Sequence, residues 1–305
     1  MKKVFGFVVL NYINYSESIA CVESILNISG KNYFIVIVDN DSPNGSFEVL
    51  FEKFEQHPNI RVISSGRNGG YSYGNNCGIK FLQSLGIFDV IIATSDTIVE
   101  SKDILQRLEN LDFLNLGIVG PKVTNLDGDD QNPMLKIMGL GYVLNIHFPF
   151  FVSFLRKAIC NFFPSLMEKN QKQKNSGMKD NQGGDVYMIH GCFLYLTSHY
   201  IKKCGFLDES LFMYGEEDLL AFNCMQNNLR VLYEPSIKVI HKEARSTPKN
   251  HITFDTKSKR SIKHLIQAGV TPETASFFSV NSNNSMRNLR KKMSLHSLLF
   301  KTLRN

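Results

Sequence analysis

Apolar and polar positions alternate along the chain in blocks whose period changes with each block. Val4–Leu10 is a continuous apolar, β-branched run, as expected of a strand buried on both faces of a parallel sheet. After Asn11 and Tyr12, apolar positions Ile19, Val22, Ile25 and Leu26 follow helical spacing, with Ser16 placed to cap that helix. Phe34–Val38 predicts a second buried strand, Phe47–Phe54 an amphipathic helix and Ile60–Ile63 a third strand. A strand–helix–strand–helix–strand run of this kind predicts a doubly wound α/β unit. Further along, the pattern predicts a helix from about Asn75 to Leu85, a strand at Val90–Ala93, a helix at Lys102–Leu111 and a strand at Leu116–Val119. Tyr187–Thr197 reads as a strand, followed by helices at about Ser198–Lys203 and Leu219–Met225, the latter with Asn228 as C-cap. Val231–Tyr233 and Ile237–Ile240 read as two closing strands.

Between these elements, Thr124–Pro133 is turn-rich, and its Asp127, Asp129 and Asp130 lack the spacing of a calcium loop. Residues 140–164 are apolar and aromatic but interrupted by Asn145, His147, Pro149 and Arg156–Lys157, which excludes a membrane span and leaves core, the favoured reading, or an acceptor-facing surface. Residues 169–184 are polar and predict a mobile loop.

Composition changes this picture little. With 43% apolar and 20% charged residues in 305, the chain reads as globular, with length for a substantial core. The net charge of +6 is concentrated in the last residues, where Arg287, Arg290, Lys291, Lys292, Lys301 and Arg304 meet no acid. The remainder is near neutral, so a nucleic-acid-binding body is not indicated. The six cysteines show no CxxC spacing and mostly sit in apolar runs, which reads as a reduced compartment. The short apolar run near Met1 lacks a small-residue cleavage site and reads as a strand, not a signal peptide.

In an open α/β sheet, ligands bind beyond the carboxyl ends of the strands. The residues there are Asn11–Tyr12, Asp39–Asn40–Asp41, the glycine-rich segment 64–76 and Thr94–Ser95–Asp96–Thr97. His241 ends the last strand. Asp96 could offer a hard oxygen to Mg²⁺ or Mn²⁺, although an aspartate after a strand is often a plain turn residue. The segment FMYGEEDLLA places Glu216, Glu217 and Asp218 side by side at a helix start. Acids there complement the helix dipole, and one of them could also serve as a general base.

Taken together, the ordered blocks resemble the family 2 glycosyltransferases, particularly the rhamnosyltransferase-like members that build bacterial surface polysaccharides. The blocks are VVLNY (8–12), CVESIL (21–26), IVDND (37–41), RNGGYSYGNNCGI (67–79), TSDT (94–97), GCFLYL (191–196), GFLDESLFMYGEED (205–218) and VLYEPSIKVIH (231–241). The resemblance implies a GT-A-like α/β fold with a mixed, mostly parallel central sheet flanked by helices. It implies a glycosyltransferase domain over 1–244, with a nucleotide-sugar half (1–123) and an acceptor half (124–244). A basic, partly helical extension over 245–305 lies outside it. By the same resemblance Asp39 contacts the nucleotide base, Asn11, Asn68, Gly69 and Asn75 lie in donor-site segments, and Asp96 and His241 hold Mg²⁺ or Mn²⁺ against the donor diphosphate. Thr94 departs from the family, which carries its first metal-motif acid there. Glu217 matches the catalytic base, Asp218 is the second choice, and Glu216 orients or caps.

The implied activity is inverting transfer of a sugar, rhamnose among the choices, from a dTDP- or UDP-sugar to a saccharide or lipid-linked acceptor. The implied location is cytoplasmic. Met286, Leu289, Met293, Phe300 and Leu303 recur at helical spacing among the basic residues, which reads as peripheral attachment to anionic membrane through 286–305 or as a helix packed on protein. A nucleotide-sugar binder without turnover is an alternative, as is a sugar nucleotidyltransferase, although NYINYS after the first strand lacks the latter's phosphate loop.

Overall fold

The computed structural model describes residues 3–134 and 182–243. The apolar segment 140–164, most of the polar segment 169–184, Cys160 and the basic extension 245–305, with the helix expected at 286–305, lie outside the described residues.

Nine strands of the described residues form one sheet: β1 (Phe5–Asn11), β2 (Tyr33–Asp39), β3 (Ile60–Ser64), β4 (Asp89–Thr94), β5 (Thr97–Val99), β6 (Leu116–Thr124), β7 (Gly184–Asp185), β8 (Phe193–Leu196) and β9 (Arg230–His241). Their order is β3-β2-β1-β4-β8-β6-β9-β5, with β7 on β9. β3, β2, β1 and β4 are parallel, β8 runs antiparallel between β4 and β6, and β6 and β9 are parallel. The helices are α1 (Tyr15–Leu26), α2 (Ser46–Phe54), α3 (Gly70–Ser84), α4 (Ile104–Glu109), α5 (Ser198–Cys204) and α6 (Glu216–Gln226).

Side chains of β1 alternate between two apolar layers. Phe5, Phe7 and Val9 join Cys21, Val22 and Ile25 of α1, Leu50 and Phe54 of α2, and Ile104 and Leu108 of α4 on one face. Val8 joins Ile79 and Leu82 of α3, Tyr200 and Ile201 of α5, and Leu220 and Cys224 of α6 on the other. Burial on both faces is what selects the β-branched runs of β1, β2 and β4. From β1 the chain crosses to β2 on one side, and β4 returns on the other. The carboxyl end of β1 is therefore a switch point, where an open sheet leaves a crevice.

Several boundaries differ from the sequence pattern. Ser16 is not the cap of α1, because the helix already includes Tyr15 and its preceding residue Asn14 makes no side-chain cap bond. The two expected closing strands are one 12-residue strand, β9. It pairs with β6 up to Pro121↔Glu234 and resumes at Lys122↔Lys238, so the Pro235 region is a bulge, not a break. The expected strand over Tyr187–Thr197 is extended and paired as β8 only from Phe193, because the preceding residues turn to line the site.

Candidate active site

The first cluster sits at the ends of β1 and β2. Asn11 Nδ2 donates to Asp39 Oδ1 at 2.6 Å, and Ser18 Oγ donates to Asn11 Oδ1 at 2.7 Å. Ser42 adds its hydroxyl to Asp39 Oδ1 at 2.7 Å and its amide to Oδ2 at 2.9 Å. Asn11 and Asp39 are almost wholly buried, so the carboxylate is held in one orientation by polar partners. Next to it, Asn40 Nδ2 donates to Asn68 Oδ1 and to Gly70 O, while Ser65 Oγ donates to Asn40 Oδ1.

The glycine-rich segment is not a long loop. α3 starts at Gly70, five residues earlier than the sequence pattern expects, with Asn68 Oδ1 accepting Gly70 N at 3.2 Å. Gly70 has φ +85°, and a Cβ there would lie 2.0 Å from Phe212 O. Tyr71 N donates to that same oxygen at 2.9 Å. Asn75 lies fully buried inside α3, its amide donating to Tyr71 O at 3.0 Å. The structure thus gathers Asn11, Asp39, Asn68 and Gly69 around one end of the crevice and sets Asn75 within the helix beneath.

The second cluster forms because the short β5 pairs antiparallel with β9 in the register Thr97↔His241. That register puts His241 beside Asp96, with Nε2 3.3 Å from Oδ2. Thr94 Oγ1 donates to Asp96 Oδ1 at 2.7 Å, and Lys242 N donates to Asp96 O. Burial raises the Asp96 carboxyl, but the hydrogen bond and charge of His241 and the Thr94 hydroxyl outweigh it and hold it below the ordinary value. Asp96 is therefore an anion in a partly enclosed place, as a cation ligand must be.

Gln131, Asn132 and His190 complete this cluster, and the sequence pattern passed over them. Gln131 Oε1 faces His241 Nδ1 at 2.8 Å. Buried Asn132 donates to Pro121 O at 3.0 Å and accepts His190 N at 2.7 Å. The His190 and His241 rings stand 5.3 Å apart. Burial lowers the His190 imidazole, and His241 lowers it further against the carboxylates of Glu217 and Asp96. Burial, then the charges of Asp96 and Glu217, raise the Cys192 thiol well above its ordinary range. Their signal in sequence was thin: an His–Gly–Cys triplet before β8 and an amide pair in a turn.

The third cluster is the start of α6. Gly215 has φ 97° and opens the helix, so Glu216, Glu217 and Asp218 occupy its first turn. Successive helical residues point about 100° apart, so the three acids face three directions. Glu216 points inward to a cavity of about 10 Å³ shared with Ser72, Tyr200, Leu207 and Asn223, room for about one water. Glu216 Oε2 and Asp218 Oδ1 are buried without a hydrogen-bond partner. Glu217 instead accepts Gly191 N on Oε1 at 3.2 Å.

Burial, reinforced by Glu217, pushes the Glu216 carboxyl up to about 8 and the Asp218 carboxyl up to about 6. Both stay protonated in the folded chain at pH values where the unfolded chain, with ordinary values of 4.5 and 3.8, has ionised them. Their contribution to stability is full below about pH 4, is lost as pH rises, and levels off above about pH 8. Urea midpoints measured across that range are expected to fall with pH. In Glu216→Gln the upper part of the fall, between about pH 6 and 8, is expected to flatten.

One backbone turn, 190–192, connects the second and third clusters. Cys192 O accepts Thr94 N at 2.8 Å, Gly191 O accepts Tyr71 Oη at 2.6 Å, and Gly191 N is held by Glu217. A carboxylate aimed from α6 and an anion–imidazole pair aimed from β4, β5 and β9 thus flank the same turn at the strand ends.

A family model for glycosyl transferase family 2 matches residues 7–201 of the chain. The chain belongs to that family. The low-salt glycan biosynthesis hexosyltransferase Agl10 of Haloferax volcanii is 25% identical over 232 residues, 76% of this chain and 66% of that protein. The dTDP-rhamnosyl transferase RfbF of Shigella flexneri is 22% identical over 217 residues, 71% of this chain and 62% of that protein. The chain thus spans slightly under two thirds of the length of these relatives. Among solved structures, S. aureus TarS 1-349 in complex with UDP-GlcNAc superposes with a TM-score of 0.56 at 12% identity, covering 89% of this chain and 69% of that one. GalNAc-T7 with UDP, GalNAc and Mn²⁺ superposes at 0.54 and 13% identity, covering 79% and 44%. These likenesses establish the GT-A fold expected from the sequence, a mixed sheet flanked by helices.

Proposed function

We propose that this chain is an inverting glycosyltransferase. It transfers a sugar from a nucleoside-diphosphate donor, a dTDP- or UDP-sugar with rhamnose among the choices, to a saccharide or lipid-linked acceptor in bacterial surface polysaccharide synthesis. The observation that carries the proposal is the 190–192 turn, which fixes Glu217 on one side and the Asp96–Thr94 pair on the other. The names of the relatives from Haloferax and Shigella agree with this chemistry.

In this reading Asp39, immobilised by Asn11 and Ser42, binds the nucleotide base. Asn68 and Gly69 shape the adjoining donor wall, and Asn75 supports it from within α3. The residues fit a divalent ion, since an anionic carboxylate and an imidazole nitrogen converge at 3.3 Å. Asp96 and His241 would hold Mg²⁺ or Mn²⁺, which offsets charge on the departing diphosphate. Glu217 takes the proton of the acceptor hydroxyl as its oxygen bonds to the anomeric carbon and the bond to the diphosphate breaks. Asp218, the alternative base, has one oxygen buried without a partner. For a lipid-linked acceptor the reaction runs at the cytoplasmic face of the membrane, and the proposal extends to lipid contact through 286–305.

A thermal-shift screen of UDP- and dTDP-sugars with Mg²⁺ or Mn²⁺ tests donor binding. At a hundredfold excess over Kd, one donor is expected to stabilise the chain by about 2.7 kcal/mol. In Asp39→Ala the shift is expected to vanish. A wild-type chain that no nucleotide or nucleotide sugar stabilises would contradict the proposal.

A further inference from the structure

We propose that His190, Cys192 and His241 form a binding site for a borderline transition-metal ion, Zn²⁺ foremost, beside the carboxylate of Asp96. The inference concerns metal selection and goes beyond the donor reading, which asks only for a hard dication. The ligand atoms of these three side chains all lie within 4.8 Å of one another. A tetrahedral zinc with Zn–N of about 2.1 Å and Zn–S of about 2.3 Å sets its ligands roughly 3.3–3.6 Å apart. Side-chain rotations of about 1 Å close that difference. Asp96 Oδ2 already lies 3.3 Å from His241 Nε2, the spacing of a fourth tetrahedral corner.

The hydrogen bonds around His241 point the same way. Gln131 Nε2 donates to Glu243 Oε1, which fixes the amide so that its Oε1 faces His241 Nδ1. That contact sets the ring so that Nε2 faces Asp96 Oδ2 at 3.3 Å. Asn132 anchors the backbone of His190 from a buried position. An imidazole–imidazole–thiolate set favours Zn²⁺ or Co²⁺ over Mg²⁺. His190 Nδ1 accepts Cys192 N at 3.1 Å, which orients the ring that the ion would engage. The Cys192 thiol releases its proton to solvent as the metal–sulfur bond forms.

The test is a Co²⁺ titration of the full, metal-stripped chain, read by absorption. Wild type is expected to show a sulfur-to-cobalt charge-transfer band and intense visible bands. Both are expected to be abolished by one equivalent of Zn²⁺ and unaffected by a large excess of Mg²⁺. Cys192→Ser is expected to lose the charge-transfer band, whereas Cys77→Ser keeps it. If Cys192→Ser does not fold, His190→Gln decides: Co²⁺ affinity is expected to fall on the order of tenfold or more. A wild-type chain that binds no Co²⁺, or binds it without the sulfur band, overturns the proposal, as does a band that survives Cys192→Ser or an affinity unchanged by His190→Gln. None of these outcomes touches the nucleotide shift, so this inference and the donor reading fail separately.

Discussion

In Glu217→Gln, sugar transfer is expected to fall by about 10²–10⁴-fold while donor affinity is unchanged. Glutamine keeps the length and the acceptor oxygen that Gly191 N engages at 3.2 Å in the wild type, so the turn at 190–192 stays in place. What is lost is the ability to take a proton, about 3–5 kcal/mol of barrier. The loss should therefore appear equally in kcat and kcat/KM, the mark of an interaction made in the transition state. Asp218→Asn is the comparison. Its carboxyl is raised to about 6 by burial and then by Glu217, so its amide analogue removes little charge that the folded chain carries below that pH. Single-turnover transfer and donor titration on the two variants check the assignment. A larger loss in Asp218→Asn than in Glu217→Gln would move the base to Asp218.

Gly70→Ala is expected to destabilise the fold by about 3 kcal/mol or more, and to disorder the acceptor side with it. Two costs add there. The residue sits at φ +85°, and the added Cβ meets backbone, 2.0 Å from Phe212 O, which cannot turn away as a side chain can. Gly66 separates the two costs, because it has φ +76° but nothing within 4 Å of its added Cβ. Gly66→Ala is thus expected to cost only about 1–2 kcal/mol. Urea unfolding of both variants gives the difference directly, and equal losses would show that the approach of Phe212 is not rigid.

Much of the fold was legible because burial on both faces demands unbroken apolar runs. β1, β2 and β4 announce themselves in this way, and α2 shows its period plainly. What escaped depends on partners distant in sequence. β5 is three residues long and exists through its pairing with β9. α3 begins at Gly70 instead of Asn75 because Phe212 O, far from Tyr71 in sequence, accepts the first-turn amide. The sequence pattern splits β9 into Val231–Tyr233 and Ile237–Ile240, yet β6 supplies enough pairing on both sides to carry the strand through.

The site divides along the same line. Asp39, Asp96, Glu217 and His241 follow strands or open a helix, so topology and family resemblance reach them. Their convergence was not readable, since it is made by the Thr97↔His241 register and by the backbone of 190–192. Gln131 and Asn132 look like turn residues in sequence. Only the fold brings one against His241 and the other beneath His190.

That 190–192 turn has a consequence for divergence within the family. Its backbone amides and carbonyls hold Thr94, Tyr71 and Glu217 in position, and a Cβ at Gly191 would lie 2.9 Å from Glu217 Oε1. The side chains at 190 and 192 carry none of those three bonds. Substitution at 192 leaves all three bonds in place, whereas substitution at 190 also removes the brace that His190 Nδ1 gives to Cys192 N, so on the proposed reading ion preference can drift at 192 more freely than at 190.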